Sequence, residues 1–387
     1  MANSQYQKLI NSTQILRELK SGPKSRNYLV KNLNLQPSTV TYTLKRLKDF
    51  NLVLDSKNIS IDNHKKGRKS TEIILNKEAG VVFGVDLLVD EFKIIISYID
   101  GSFFTQIEEV FNDIIITAEK GSKERFFQCI RYVLSTIEAK CCNTKILGGC
   151  ISLAAIVDFD GLTLIRSLTH AITNVSVEEI IKSKNYPVYL ENDANCAAIK
   201  YRNNNLDSYL YSLVRTYYNH KLPDGVPVLG VGMGVVINGQ LYRGWQSKAG
   251  EFVNFVYQEG KQNQQLEIDN DELMQLNNNQ ASLKHFIDNY VNKLLYTNAL
   301  LNPRTIYLGG DSEIWNANIL KSISKIFPDK TTDDIINNFC FTFLEDSEND
   351  IAYGASHLML DFLFHMPYLN STINTWEQND SPLLIGI

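Results

Sequence analysis

From Lys77 onward, short apolar runs rich in valine and isoleucine alternate with longer stretches whose apolar residues fall at helical spacing. Runs of the first kind bury as strands and the stretches between them pack as amphipathic helices, which restricts this part of the chain to an α/β arrangement in two lobes. GVVFGVDLLVDEFKIIISYIDGSFF predicts strands over Val81–Leu88 and Phe92–Ile99 with a turn at Asp100-Gly101. KERFFQCIRYVLSTIEAKC predicts a helix, KILGGCISLAAIVD a buried strand, and YPVYLENDANCAAIKYRN a strand running into a helix. VLGVGMGVVINGQLYRG reads as a glycine-spaced hairpin turning at Asn238-Gly239. A long helix, a strand and a Gly-Gly turn follow in LKHFIDNYVNKLLYTNALLNPRTIYLGGD, and Gln275–Gln280 reads as a loop. With 387 residues, 44% of them hydrophobic, the chain can build two or three sizeable cores.

No sustained short-period repeat is visible, and no apolar run reaches the roughly 18 residues a membrane helix needs. The N-terminus is polar, without a signal-peptide pattern, so no membrane association is expected and the expected compartment is the cytoplasm. Six cysteines (Cys129, Cys141, Cys142, Cys150, Cys196, Cys340) form no CxxC pair and mostly adjoin apolar residues, the pattern of buried thiols in a reducing cytosol.

The first 75 residues follow a different period and carry a different charge. They hold ten Lys and four Arg against five acids, a surplus of +9 in a chain of net charge −5, so the remainder carries −14. A basic head on an acidic body points to a polyanion as the partner of residues 1–75. Leu9, Ile10, Ile15, Leu16 and Leu19 mark a helix closed by Gly22-Pro23. SRNYLVKNLNLQPSTVTYTLKRLKDFNLV then reads as helix, turn, helix: Ser25 as N-cap, Tyr28, Leu29 and Leu33 as an apolar face, Asn34 at a left-handed turn position, and Pro37 opening the second helix. With Val40, Leu44 and Leu47 inward, Gln36, Ser38, Thr39, Thr41, Tyr42, Lys45 and Arg46 remain on the outer side or at the N-terminal end. That is the set a recognition helix presents to base edges and phosphates. Two strands around the basic tip Lys65–Lys69 would then form a wing, with Lys66, Arg68 and Lys69 against backbone phosphates or in a minor groove. The other use of such a segment is protein contact.

LENDANCAAIKY places Glu191, Asn192 and Asp193 in a row at the end of an apolar strand, where burial is costly unless something uses them. Together with the GRK wing, INGQLYRG, AGE and NPRTIYLGG, taken in this order, ENDAN resembles the ROK family of sugar kinases and sugar-responsive repressors. The resemblance covers nearly the whole chain and is strongest to the regulator branch, xylose-operon repressors in particular. It implies a winged helix-turn-helix followed by a two-lobed, actin-like ATPase body of ribonuclease-H-like sheets. The expected division is a DNA-binding domain over 1–75, a first lobe over 76–195 joined by a C-terminal helix over 366–387, and a second lobe over 196–365. In the kinases of this family the Asp of ENDAN is the general base and the preceding Asn binds sugar, which carries over to Asp193 and Asn192; Glu251 of AGE matches a sugar-binding carboxylate.

The pattern also breaks. Where the kinases have an Asp followed by a Gly-Gly-Thr turn against the ATP phosphates, this chain reads Asp86-Leu87-Leu88-Val89-Asp90. Branched side chains are expected to fill that space, and productive ATP binding is not expected. Gly230, Gly232, Gly234, Gly309 and Gly310 match the remaining nucleotide loops as vestiges whose expected role is tight packing. After Glu251 the loop contains none of the family's Cys and His, so no structural zinc is expected. Ala154-Ala155 replaces a Pro-Gly turn and Leu168 a sugar-contacting Asn, leaving Glu191, Asn192, Asp193 and Glu251, with His170 and Asn254 as substitutes, to hold an effector. The reading that follows is a homodimeric or higher oligomeric transcriptional regulator, implied by the resemblance to repress carbohydrate genes. It would bind operator DNA and a small-molecule effector, a sugar or derivative or a different small molecule, without cofactor and without catalysis. An active sugar kinase with a DNA-binding head is the alternative.

Overall fold

The computed structural model describes residues 2–56, 71–202, 207–221, 227–252, 266, 268–365 and 383. The head consists of α1 (Ala2–Lys20), β1 (Lys24–Ser25), α2 (Arg26–Asn32), α3 (Pro37–Asp49), β2 (Val53–Asp55) and β3 (Glu72–Leu75). Its turns follow from local chemistry. The Ser25 hydroxyl accepts from the Tyr28 amide, Asn34 takes φ 51°, and Pro37 is the first residue of α3. Ile15, Leu16 and Leu19 pack with Leu29, Val40, Leu44 and Leu47 in one core. Tyr28 does not join it: the ring is 42% exposed, with the Lys24 ammonium 5.1 Å from its centroid. β2 and β3 pair antiparallel, Val53 opposite Leu75. Lys66, Arg68 and Lys69 lie outside the described residues.

The body holds two five-stranded sheets with the same plan. In the first, β4 (Val81–Leu87), β5 (Glu91–Tyr98) and β6 (Phe103–Val110) form an antiparallel meander. α4 (Lys123–Lys140) leads to β7 (Ile146–Leu153), which lies parallel to β4. A small sheet of β8 (Ile156–Val157), β9 (Thr163–Ser167) and β10 (Ile172–Ser176) and the short α5 (Glu178–Ile181) lead to β11 (Val188–Asn192), parallel to β7, and then to α6 (Asp193–Lys200). In the second sheet β12 (Tyr209–Lys221), β13 (Pro227–Ile237) and β14 (Gln240–Leu241) repeat the meander. α7 (Asn270–Met274) and α8 (Gln280–Leu301) precede β15 (Ile306–Gly310), and α9 (Asn316–Ile326) and α10 (Thr332–Phe339) precede β16 (Phe341–Phe343). β15 is parallel to both β12 and β16. Each sheet thus runs third, second, first, fourth, fifth. β6 and β12 were not expected as strands. β6 is an edge strand whose Thr105, Gln106, Glu108 and Glu109 dilute its apolar alternation.

α11 (Asp350–Leu363) then returns to the first sheet and packs on β4, β5 and β7 as well as on α6. α11 thus joins the first sheet from within 196–365, and the helix expected over 366–387 lies, except for Leu383, outside the described residues. α11 is buried on nearly all sides because it is sandwiched between sheet and helix. Glycines permit that sandwich, since a Cβ on Gly84 would lie 2.1 Å from the Ala352 carbonyl oxygen and one on Gly354 only 1.7 Å from that of Cys196.

Candidate ligand-binding cleft

A cleft of about 110 Å³ opens between the two sheets. The first sheet's side supplies Ala154, Ala155 and Ile156 after β7, Arg166, Leu168 and Thr169 around the end of β9, and Asn192-Asp193 at the β11–α6 junction; the second supplies Leu213 and Arg215 of β12, Leu229 to Gly232 of β13, and Glu251. Asn192 is the N-cap of α6: its side-chain oxygen accepts from the Asn195 amide at 3.1 Å and its amide group donates to the Ala155 carbonyl at 3.1 Å. It therefore ties the strand end to the Ala154-Ala155 turn. Asp193 follows as the first helical residue, 6% exposed, with the Arg215 guanidinium at 4.0 Å. Burial raises its carboxyl above the ordinary carboxylate range, Arg215 opposes that, and Asp86 adds to it. Glu251, bridged to Gly232, is pushed up to about 7 by burial and then by Asp193, with Arg166 and Lys248 pulling the other way.

Glu251 consequently binds a proton more tightly folded than unfolded. Stability falls as pH rises from the ordinary carboxylate value towards about 7 and levels off above it. Urea titrations at about pH 5 and about pH 8 are expected to show a smaller loss for Glu251→Gln than for the unmodified chain; equal losses would assign the pH dependence elsewhere.

Glu191 does not face the cleft. It is 3% exposed and accepts from Arg243 Nε at 2.8 Å and Nη2 at 2.6 Å, from Asn195 Nδ2 at 3.0 Å and from the Asn192 amide at 2.9 Å. The reason is strand alternation: neighbours on β11 point to opposite faces, so Glu191 turns away from the face that Asn192 occupies. His170 is also displaced. Buried at 7% exposure, it packs 5.3 Å from the Phe126 ring and lines a separate small void with Val89, Arg125 and Cys129. Asn254 lies outside the described residues. Arg166 and Arg215 were not singled out from sequence, although Arg215, a lone cation in the apolar run YLYSLVR, carries the same signal as ENDAN.

Beyond Arg215 lies a second space of about 380 Å³, lined by Asp86, Leu88, Glu91, Lys93, Thr216, Gly310, Asp311, Glu313, Ser347 and Glu348 among others. The expected steric filling is not found. Val89 is buried against a separate void, Leu88 is one of the lining residues, and the space remains. Five carboxylates stand in its lining against Lys93 and Arg215. Arg215 grips Asp86 with both terminal nitrogens, Nη1 at 3.1 Å from Oδ1, across the two sheets. Lys93 pairs with Glu348 and Glu108. The Gly310 amide donates to Ser347 Oγ at 2.8 Å and the Thr216 amide to Asp311 at 2.6 Å. Gly230, Gly232 and Gly234 are strand residues opposite Arg215, Leu213 and Tyr211, not a turn. A Cβ on Gly234 would lie 2.3 Å from the Ala194 carbonyl oxygen, so its role is to let α6 approach β13. Gly309 is similar, a Cβ there falling 2.0 Å from the Tyr211 hydroxyl.

In the head, Gln36, the N-cap of α3, and Ser38, Thr41, Tyr42 and Lys45 on α3 are exposed, Tyr42 at 74%, and Thr39 is half-buried. Arg46 departs from the expected set. Its Nη2 donates to Ser12 Oγ at 2.8 Å and to the Lys8 carbonyl at 3.1 Å, bracing α3 on α1. Of the six cysteines, Cys142 is exposed and Cys340 half-buried, the other four being buried. No described helix is long and apolar enough to cross a membrane.

No protein-family model matches the chain. It is 28% identical over 245 residues to the xylose repressor of Staphylococcus xylosus, covering 62% of this chain and 59% of that one. It is 25% identical over 257 residues to the xylose repressor of Bacillus spizizenii, covering 65% and 61%. The match thus spans about three-fifths of these curated relatives. Among solved structures, a ROK family transcriptional regulator homologous to the E. coli MLC protein superposes with a TM-score of 0.64 at 15% identity, over 98% of this chain and 100% of that one. A ROK family glucokinase from Streptomyces griseus, in complex with glucose and AMPPNP, superposes with a TM-score of 0.51 at 16% identity, over 72% and 99%. The doubled strand order, the cleft between the sheets and these likenesses agree: the chain has the actin-like fold shared by ROK regulators and ROK sugar kinases, and its curated homologues are xylose repressors.

Proposed function

We propose that this chain is a cytoplasmic, DNA-binding repressor of carbohydrate-utilisation genes, acting as a homodimer or higher oligomer, whose kinase-derived body binds an effector without catalysis. The single observation that carries the reading is the outer face of α3, where Gln36, Ser38, Thr41, Tyr42 and Lys45 stand exposed on a segment of charge +9. With β2 and β3 behind it, the head has the parts of a winged helix-turn-helix, α3 being the helix to enter a major groove. The similarity to xylose repressors over three-fifths of their length supports a sugar or sugar derivative as effector. Asn192, Asp193 and Glu251 offer it hydrogen-bonding groups, Arg166 and Arg215 flank them, and Leu168 and Ala155 give an apolar wall.

The same body argues against phosphoryl transfer. The resemblance implies a general base at Asp193, but the amides and the guanidinium that could meet a polyphosphate are already held by Ser347, Asp311 and Asp86. Neither ATP nor zinc is part of the proposed function.

The test is selection of duplex DNA by the full chain from a random library. Lys45→Ala or Tyr42→Ala is expected to lose about 1–3 kcal/mol on the selected site and relax its sequence preference. Arg68→Ala is expected to lower the salt slope by about one. No preference for any selected site over random duplex would overturn the reading. Incubation with ATP and D-xylose or D-glucose is expected to give no sugar phosphate; turnover at about 1 s⁻¹ or faster would establish the kinase instead.

A further inference from the structure

Three segments converge on one carboxylate where the basic head meets the body. Asp361, in the last turn of α11, accepts from Lys20 Nζ at 3.0 Å through Oδ1 and pairs with Arg202 through Oδ2. Lys20 ends α1 of the head, and Arg202 follows the last residue of α6 by two positions. The three side chains are 34%, 32% and 22% exposed, so the cluster is a partly buried junction rather than a loose surface pair. Lys20 Nζ also lies 5.6 Å from the centroid of the Phe364 ring. Beneath it, Leu16 and Leu19 of α1 belong to the same apolar cluster as Leu358 and Phe362 of α11 and Ala198 of α6. The head is seated on the body, beside one end of the helix whose other end forms the cleft.

α6 has eight residues, a rod of about 12 Å. It begins at Asn192 and Asp193 in the cleft. At its far end Lys200 and Tyr201 hold Asp350, the first residue of α11, with Tyr201 Oη at 2.7 Å and Tyr211 Oη at 3.0 Å, while Arg202 holds Asp361. The Arg202 amide donates to the Ile199 carbonyl at 3.1 Å, which ties Arg202 to the end of this short helix. One carboxylate between two cations cannot neutralise both, and a closer hold on either cation weakens the hold on the other. The crowding of positive charge is visible in the neighbours. Partial burial, then Arg202 and Arg17, pull Lys20 down to about 8. Burial, then Lys20 and Arg202, hold His357 neutral, down to about 4.

We propose that Asp361 is the coupling residue between cleft and head: a ligand that moves the N-terminus of α6 redistributes Asp361 between Arg202 and Lys20 and so changes how the head is held. The proposal rests on the regulator reading for its purpose, but its mechanics are independent of it. Coupling of this kind needs an element with two arrangements that both sites bias, and the proposal assigns that part to the shared carboxylate.

The test uses the full chain and requires neither operator nor effector. Asn192→Ala perturbs the cleft end of α6, and hydrogen exchange is followed over Leu16 to Lys20 in α1. With Asp361 present, exchange there is expected to change by about fivefold or more, the lower edge of ordinary coupling. In the Asp361→Asn background the same cleft substitution is expected to change it by less than about twofold. Equal changes in both backgrounds, or none in either, would overturn the proposal. Asp193→Asn, which preserves shape, replaces Asn192→Ala in the same comparison if the latter does not fold. Failure of the chain to select any duplex would remove the regulator reading and leave this exchange result standing. If D-xylose alters DNA affinity in the unmodified chain, Asp361→Asn is expected to flatten that response; an undiminished response would also overturn the proposal.

Discussion

Replacing Arg243 with methionine is expected to lower the unfolding free energy by about 3–5 kcal/mol, read as a fall in the urea midpoint at unchanged slope. Arg243 and Glu191 are 8% and 4% exposed in their side chains, so neither can turn to water when the other is removed. The loss arises from leaving the Glu191 carboxylate buried with, among the described residues, the Asn195 amide group and the Asn192 backbone N–H as its donors. The double substitution Glu191→Gln with Arg243→Met is expected to recover part of that loss, because no charge then remains unpaired. If the single substitution costs less than about 1 kcal/mol, Glu191 is reached by water and the placement of its side chain described above is wrong. The pair also bears on function: Glu191 holds the Asn192 amide, so loosening it loosens the cap of α6 at the cleft.

Gly354→Ala is expected to destabilise the chain by an amount at or beyond the upper end of the roughly 1–3 kcal/mol typical of overpacking. The added Cβ would sit 1.7 Å from the Cys196 carbonyl oxygen, a backbone atom that no rotamer change can move aside. Relief requires α6 and α11 to separate, and α6 carries Asn192 and Asp193 into the cleft at its other end. The same substitution should therefore weaken binding of whatever the cleft holds. A melting temperature within a degree or so of the unmodified chain would mean that the two helices do not cross this closely.

Much of the local structure was legible in the residues themselves. Ser25, Asn34 and Pro37 place the helix ends of the head, and Asn238-Gly239, both at positive φ, places the β13–β14 turn. The strands expected at Val81–Leu88 and Phe92–Ile99 are β4 and β5 to within one residue, and β7, β11 and β15 fall inside the stretches expected to hold a strand, Gly309 and Gly310 belonging to β15 itself. ENDAN marks the cleft, and Asn192, Asp193 and Glu251 meet there. These features depend on neighbours a few positions away, where backbone sterics and hydrogen-bond geometry decide the outcome.

What the residues by themselves determined was therefore a basic helical head, an α/β body and the short stretches that carry its polar groups. Only the tertiary structure decided which of those groups face a ligand. Glu191 and Asp193 are two positions apart, yet one is held by Arg243, 52 residues away, and the other looks into the cleft. Val89, between β4 and β5, lines a different void from the one beside Asp86, whose lining is rich in charged side chains. α11 crosses back to the first sheet and brings Asp361 to Lys20, 341 residues away. Partners so distant in the chain leave no periodic trace, because their pairing depends on the geometry of two packed sheets and not on the spacing of residues along either.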